Sequence, residues 1–171
     1  TFTLVESMGL GYLGKLVQRS LPSSSAAPPA DHDGLGARYE ARPALVARAG
    51  ETLAQRVSLA EGVLKAMGLR TGFARIVLLA GHGSQSANNP HAAGLDCGAC
   101  CGQTGEVNAR VLAALLNDAA VRQALAVREL GVPATTHFLA GLHNTTTDEM
   151  QLFDTDQVPA SHADDLARLR Q

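Results

Sequence analysis

Apolar residues along the chain follow two spacings, one helical and one continuous, and their order predicts a layered fold. Over 51–67, Leu53, Val57, Val63 and Leu64 fall partly on one helical face, and Gly68 is a stop signal. Arg75 then leads into Ile76, Val77, Leu78, Leu79 and Ala80, an unbroken β-branched and aliphatic run over 75–80. Such a run predicts a strand buried on both faces of a parallel sheet. From 81 to 103 no periodicity appears; a long connection of this kind inside a compact domain is usually functional. Thr104 is placed to cap the next helix, with Glu106 in its first turn and Val107, Val111, Leu112 and Leu115 facing inward. Asp118 can cap a second helix over 119–130, stopped by Gly131 and Pro133. A second strand follows over 135–142, a polar turn over 144–147, a short third strand over 150–153 and a closing helix over 162–170. The succession predicts an α/β fold, a partial parallel sheet flanked by helices.

The N-terminal third is less regular. Leu4, Val5, Met8, Tyr12, Leu16 and Val17 have roughly helical spacing, interrupted by Gly9, Gly11 and Gly14, each costing up to ~1 kcal/mol relative to Ala in a helix interior. The Ser-, Ala- and Pro-rich stretch 22–36 predicts a flexible loop. Pro43 and Gly50 bracket a short predicted helix over 43–49. No internal repeat appears, and 1–171 is expected to be a single α/β segment cut from a larger protein.

Composition narrows the function classes. With 46% hydrophobic and 18% charged residues over 171 positions, a packed core is expected rather than global disorder. Fourteen Lys and Arg against 16 Asp and Glu leave a net charge of −2, which lacks the clustered positive surface a nucleic-acid partner requires. No apolar run approaches the ~20 residues of a membrane span, so the segment is expected to be soluble.

Gly81-His82-Gly83-Ser84 follows the apolar strand directly, at the carboxyl end where open α/β sheets bind ligands. An imidazole between two glycines has little steric cover and can reach a metal; the competing role is a turn histidine bonded to a backbone carbonyl. Farther along the same connection stand Asp96, Cys97, Cys100 and Cys101. Three cysteines so close together are no secreted disulfide framework and fit a reducing compartment. Folding the connection back to join His82 and Cys97 costs about 2.4 kcal/mol by the logarithmic loop law. That is small beside the ~10–16 kcal/mol that a complete structural zinc site returns.

Other roles remain open for these residues. Cys97 and Cys100 form a Cys-x-x-Cys, a possible redox pair close to a helix start. Three thiolates fall short of the four an iron–sulfur cluster takes, and buried structural cysteines are the plain alternative. His91 and His143 could complete a metal site or serve as polar loop and strand-end residues; His32 and His162, in polar segments, are expected to be solvated. Gly9-Leu10-Gly11-Tyr12-Leu13-Gly14 matches G-x-G-x-x-G, yet Glu6-Ser7 stands where the motif needs a buried strand.

The run Val77-Leu78-Leu79-Ala80-Gly81-His82-Gly83-Ser84, followed by Asn88-Asn89-Pro90-His91-Ala92-Ala93-Gly94-Leu95-Asp96-Cys97-Gly98-Ala99-Cys100, resembles the DabA family, the large soluble subunit of bacterial inorganic-carbon transporters. Thr3 to Gly9, Asn108-Ala109-Arg110, Thr135-Thr136-His137-Phe138 and His143-Asn144-Thr145-Thr146-Thr147-Asp148-Glu149 are similar as well, so the likeness spans nearly the whole chain. It implies a core like that of a β-type carbonic anhydrase, and a peripheral position on the cytoplasmic face of the inner membrane. The implied partner is a membrane proton-conducting subunit (DabB-like).

The resemblance further implies a zinc ion that hydrates CO2 to bicarbonate, held by His82, Cys97 and a Cys-Asp pair from a Cys-x-Asp-x-Arg segment. That segment is absent between Thr1 and Gln171, and Cys101 stands where Gly is expected. Two of four ligands are therefore expected N-terminal to Thr1, and the isolated segment is expected to be inactive, with no catalytic residue of its own. Two other classes compete. Leu79 to Ser84 also resembles the strand-plus-His start of small cobalt and iron chelatases, and a non-catalytic docking domain would keep its cysteines for structure.

Overall fold

The structure, a computed structural model, describes residues 17, 42–43, 51–85, 91–97 and 103–170. The expected loop over 22–36, the helix over 43–49 beyond Pro43, and Asn88, Cys100 and Cys101 lie outside the described residues, as does all but Val17 of the first predicted helix. The chain divides into two compact units, Thr1–Ala30 and Asp31–Gln171. Of the first, only Val17 is described, helical and exposed.

In the second unit, helix α1 (Leu53–Ala66) starts from a capping box: Thr52 accepts from the Gln55 amide while the Gln55 side chain accepts from the Thr52 amide. Strand β1 (Ile76–Gly83) follows, then a short helix α2 (Ala92–Leu95) and helices α3 (Glu106–Asn117) and α4 (Ala119–Val127). Strands β2 (His137–Asn144) and β3 (Glu149–Phe153) precede two 3-10 turns and helix α5 (Ala163–Leu169). The sheet order is β1-β2-β3. β1 and β2 run parallel from Ile76 opposite His137 to Gly83 opposite Asn144, and β3 returns antiparallel to β2. The α/β fold with a parallel pair is thus present; the sheet as described is small and mixed.

The register divides the side chains between two faces. Val77 and Leu79 of β1 share one face with Phe138, Ala140 and Leu142 of β2. These join Phe153 and residues of α1, α3 and α4, among them Val57, Leu64, Ala113, Leu116, Val121 and Leu125, in one core. α3 lies against both parallel strands, and α1 packs on α4 and α3. Where β3 has not yet begun, the Asn117 carboxamide takes its place beside β2, donating to the Phe138 carbonyl at 2.8 Å and accepting from its amide at 3.0 Å. This substitution satisfies backbone groups that would otherwise be buried unpaired. Arg122 continues the network from α4, donating to the carbonyls of Leu116 and Thr136.

Several sequence expectations are corrected. β1 is only partly buried and, among the described strands, lies at the edge of the sheet; the fully buried strand is β2, from Phe138 through Leu142. β1 also continues through Gly83, so His82 belongs to a strand rather than to the connection, since pairing with His143 and Asn144 extends the ladder past the apolar run. Thr104 does not cap α3. Gly105 holds that position without a side-chain bond, its amide committed to the His82 carbonyl at 2.7 Å. Val107 is exposed, and the buried face of α3 carries Glu106, Ala109, Arg110, Ala113, Leu115 and Leu116. His162 is buried, not solvated: Nε2 meets the Thr135 carbonyl at 2.7 Å and Nδ1 the Ser161 hydroxyl at 3.0 Å.

Asp118 caps α4 as expected, accepting from the Val121 amide at 3.0 Å. The helix ends at Val127, ahead of the expected stop at Gly131.

Candidate metal centre

At the carboxyl ends of the parallel pair, the ladder places His82 opposite His143. Register partners in adjacent strands project to the same face, and the two rings stand edge to face with centroids 6.0 Å apart. Asp148, on the turn after β2, meets His143 Nε2 at 2.7 Å. Its carboxylate occupies that ring nitrogen and fixes the ring's orientation. No hydrogen bond from a described residue reaches the His82 imidazole, which is exposed.

The connection after β1 folds back, as the sequence reading required, and its backbone ties can be named. The Cys97 amide donates to the Gln103 carbonyl at 3.2 Å, an isolated antiparallel bridge. Two residues on, the Gly105 amide donates to the His82 carbonyl. At the other end of the fold, the Thr145 hydroxyl lies 2.7 Å from the Leu95 carbonyl oxygen and 3.0 Å from that of Gly83. The residues just after His82 and just before Cys97 therefore share one hydroxyl, while those just after Cys97 lead back to His82 itself.

Glycine is a requirement where the fold closes. A Cβ on Gly81 would stand 2.5 Å from the Gly105 oxygen, and one on Gly105 would stand 2.8 Å from Gly81 Cα and from the His82 amide nitrogen. Backbone meets backbone here, so α3 begins in direct contact with the strand that carries His82.

Cys97 is a free thiol, partly buried. The neighbouring Asp96 has a carboxylate oxygen, Oδ1, that is buried without a hydrogen-bond partner among the described residues. Such an atom is costly unless a donor or cation reaches it. Among the described residues no three His, Cys, Asp or Glu side chains converge closely enough to hold a metal by themselves. His91 stands in the turn before α2 and is exposed.

Three features escaped the sequence reading. Thr145 was part of a polar turn with nothing to distinguish its hydroxyl, and the Asp148 contact depends on a turn closing over β2. The third is Arg110, buried on α3, where Glu106 accepts from it at 2.8 Å and Asp154 takes a bidentate pair at 2.8 and 2.9 Å. Its guanidinium carbon also lies 5.1 Å from the centre of the Phe153 ring. The i,i+4 spacing of Glu106 and Arg110 was the available signal; their burial was not legible.

Compared with known proteins, all of residues 1–171 match the family model described as probable inorganic carbon transporter subunit DabA. A protein of that name from Vibrio cholerae is 51% identical, the alignment covering 100% of this chain and 20% of the relative. One from Paracidovorax citrulli is 57% identical over 92% of this chain and 19% of its own length. A protein named probable inorganic carbon transporter subunit DabA 2, from Bradyrhizobium sp. (strain BTAi1), is 52% identical over 99% of this chain and 21% of its own. The chain thus spans about a fifth of the length of the relatives it matches. No solved structure gives a significant match.

Proposed function

The chain belongs to the DabA family of probable inorganic carbon transporter subunits, and from that premise we propose that it carries half of a zinc centre, with His82 and Cys97 as ligands. The remaining two ligands come from another part of the full-length subunit. Zinc held there would act as a Lewis acid that makes bound water nucleophilic near neutral pH, the chemistry that CO2 hydration to bicarbonate requires. A membrane proton-conducting partner gives the hydration its direction, and the subunit works as a peripheral protein on the cytoplasmic face of the inner membrane.

One observation carries this reading: the connection from β1 to α3 is folded back and pinned on both sides of Cys97 to the strand end that carries His82. The donor chemistry fits zinc, which takes imidazole nitrogen and thiolate sulfur. His82 offers an exposed imidazole with no competing bond from a described residue, and Cys97 offers a free, partly buried thiol. The Oδ1 of Asp96, unpartnered among the described residues, adds a buried negative atom next to Cys97, where a cation or a donor on a metal ligand would satisfy it.

This chain's own contribution is positional. β1 fixes the height of the His82 imidazole by its pairing with β2, the Gly81–Gly105 contact fixes the distance of α3, and the Cys97–Gln103 bridge ties the Cys97 backbone to the segment that leads into α3. The decisive measurement is zinc content and CO2-dependent growth support by the full-length subunit, with His82→Ala and Cys97→Ser as variants. Both variants are expected to lose zinc and growth support while remaining folded. A His82→Ala protein with a full complement of zinc would overturn the assignment, and co-purification with a proton-conducting membrane subunit tests the coupling.

A further inference from the structure

The turn after β2, Asn144-Thr145-Thr146-Thr147, does more than reverse the chain. Thr145 donates its amide to the Gly83 carbonyl at 2.8 Å, extending the parallel ladder by one bond. Its hydroxyl, with a single proton, stands between the carbonyls of Gly83 and Leu95 at 3.0 and 2.7 Å. Thr146 accepts from the Gln85 amide through its hydroxyl at 3.1 Å. Asn144 Oδ1 accepts from the amides of Thr146 and Thr147, shaping the turn that presents both hydroxyls. One turn therefore holds the first residues of the connection at Gly83 and Gln85 and the far residues at Leu95.

We propose that Thr145 is the positioning residue of the candidate metal centre, its hydroxyl setting the separation of His82 and Cys97. The inference rests on the zinc assignment above for its functional half and on the hydrogen bonds alone for its structural half. Leu95 lies two residues before Cys97, and Gly83 directly follows His82. A bond across Leu95 and Gly83 therefore fixes the two ligand-bearing backbones on the side opposite the Gly105–His82 bond. Holding ligands before the metal arrives removes an ordering cost that would otherwise weaken binding. Valine has the shape of threonine without the hydroxyl, whereas serine keeps the hydroxyl without the methyl, so the pair separates hydrogen bonding from packing.

The test uses the full-length subunit with Thr145→Val and Thr145→Ser, read in two ways. Amide hydrogen exchange in the peptide covering residues 95–97 is expected to speed up roughly two- to tenfold in Thr145→Val, with the α3 peptide unchanged, and to return towards wild type in Thr145→Ser. Cobalt titration, followed by the thiolate charge-transfer band, is expected to show about tenfold weaker binding in Thr145→Val and near-wild-type binding in Thr145→Ser. Unchanged exchange at 95–97 in Thr145→Val, or equal loosening in both variants, would overturn the proposal even if cobalt binds normally. If Thr145→Val loosens 95–97 and Thr145→Ser restores it, but the wild type shows no thiolate band, the structural half stands and the zinc assignment falls.

Discussion

His82 and His143 are register partners across the parallel pair, and their rings meet edge to face from the same side of the sheet. Among the described residues only His143 of the two has a hydrogen-bond partner, Asp148 at Nε2. With His82 and Cys97 as the ligands this chain supplies, His143→Ala is expected to leave zinc stoichiometry intact in the full-length subunit, where His82→Ala removes it. Because Asp148 is almost fully exposed, the His143–Asp148 contact contributes at most about 1 kcal/mol to folding. Metal analysis and urea denaturation of the two variants check both statements.

Gly81 and Gly62 are opposite cases. At Gly81 an added methyl would collide with the Gly105 backbone, which cannot swing away as a side chain would, so Gly81→Ala is expected to destabilise by roughly 1–3 kcal/mol. At Gly62, inside α1, a Cβ meets nothing within 4 Å. There Gly62→Ala is expected to stabilise by about 0.5–1 kcal/mol through helix propensity. Denaturant midpoints for the pair would show shifts of opposite sign.

Arg110 stands in an ion network whose members differ in burial: its side chain is 2% exposed, Glu106 4% and Asp154 22%. Removing the guanidinium takes a buried cation from the Glu106 and Asp154 carboxylates, so Arg110→Met is expected to cost about 3–5 kcal/mol. Adding Glu106→Gln is expected to recover part of the loss, because one of the two carboxylate charges is gone. A double-mutant cycle on unfolding free energies measures that coupling.

Asp118 links capping to pH. The Val121 amide, and after it the Arg56 guanidinium, hold its carboxyl below the usual value of 3.8. A carboxyl lowered by folding contributes stability above its unfolded pKa and loses it as pH falls through the folded pKa. Asp118→Ala is thus expected to cost about 1–2 kcal/mol near pH 7, with the gap to wild type closing below about pH 4. His137 acts at a higher pH: burial, aided by Arg122 and His162, pushes its pKa below 6.5. Its unfolded form binds the proton first, so stability falls as pH drops below about 6.5. Equilibrium denaturation from pH 3 to pH 7 separates the two slopes.

The elements with a strong local signature were legible in the sequence: the aliphatic run of β1, the Asp118 cap of α4 and the apolar stretch of β2. Their burial was not, because a run such as Ile76 to Ala80 reads the same at an edge as in the middle of a sheet, and neighbours decide the difference. His82 and Cys97 were identifiable as residue types beside glycines. What joins their backbones, a threonine hydroxyl and two backbone amides, depends on a register that only the assembled parallel pair defines. Val107 is exposed where its spacing predicts an inward position, and Arg110 is buried, for a similar reason. The Glu106 and Asp154 partners that let Arg110 be buried cannot be inferred from helical spacing alone.

β1 pairs on one side only among the described strands, and its alternate backbone groups, at Ile76, Leu78 and Ala80, point away from β2. A bare ribbon edge of aliphatic sequence is a template for any extended peptide that meets it. In relatives of which this chain spans about a fifth, further chain is at hand to cover such an edge. Expressed by itself, the segment would offer the same edge to its own copies, so its solubility is expected to fall with concentration and to be restored by a lysine in place of Leu78 or Ala80.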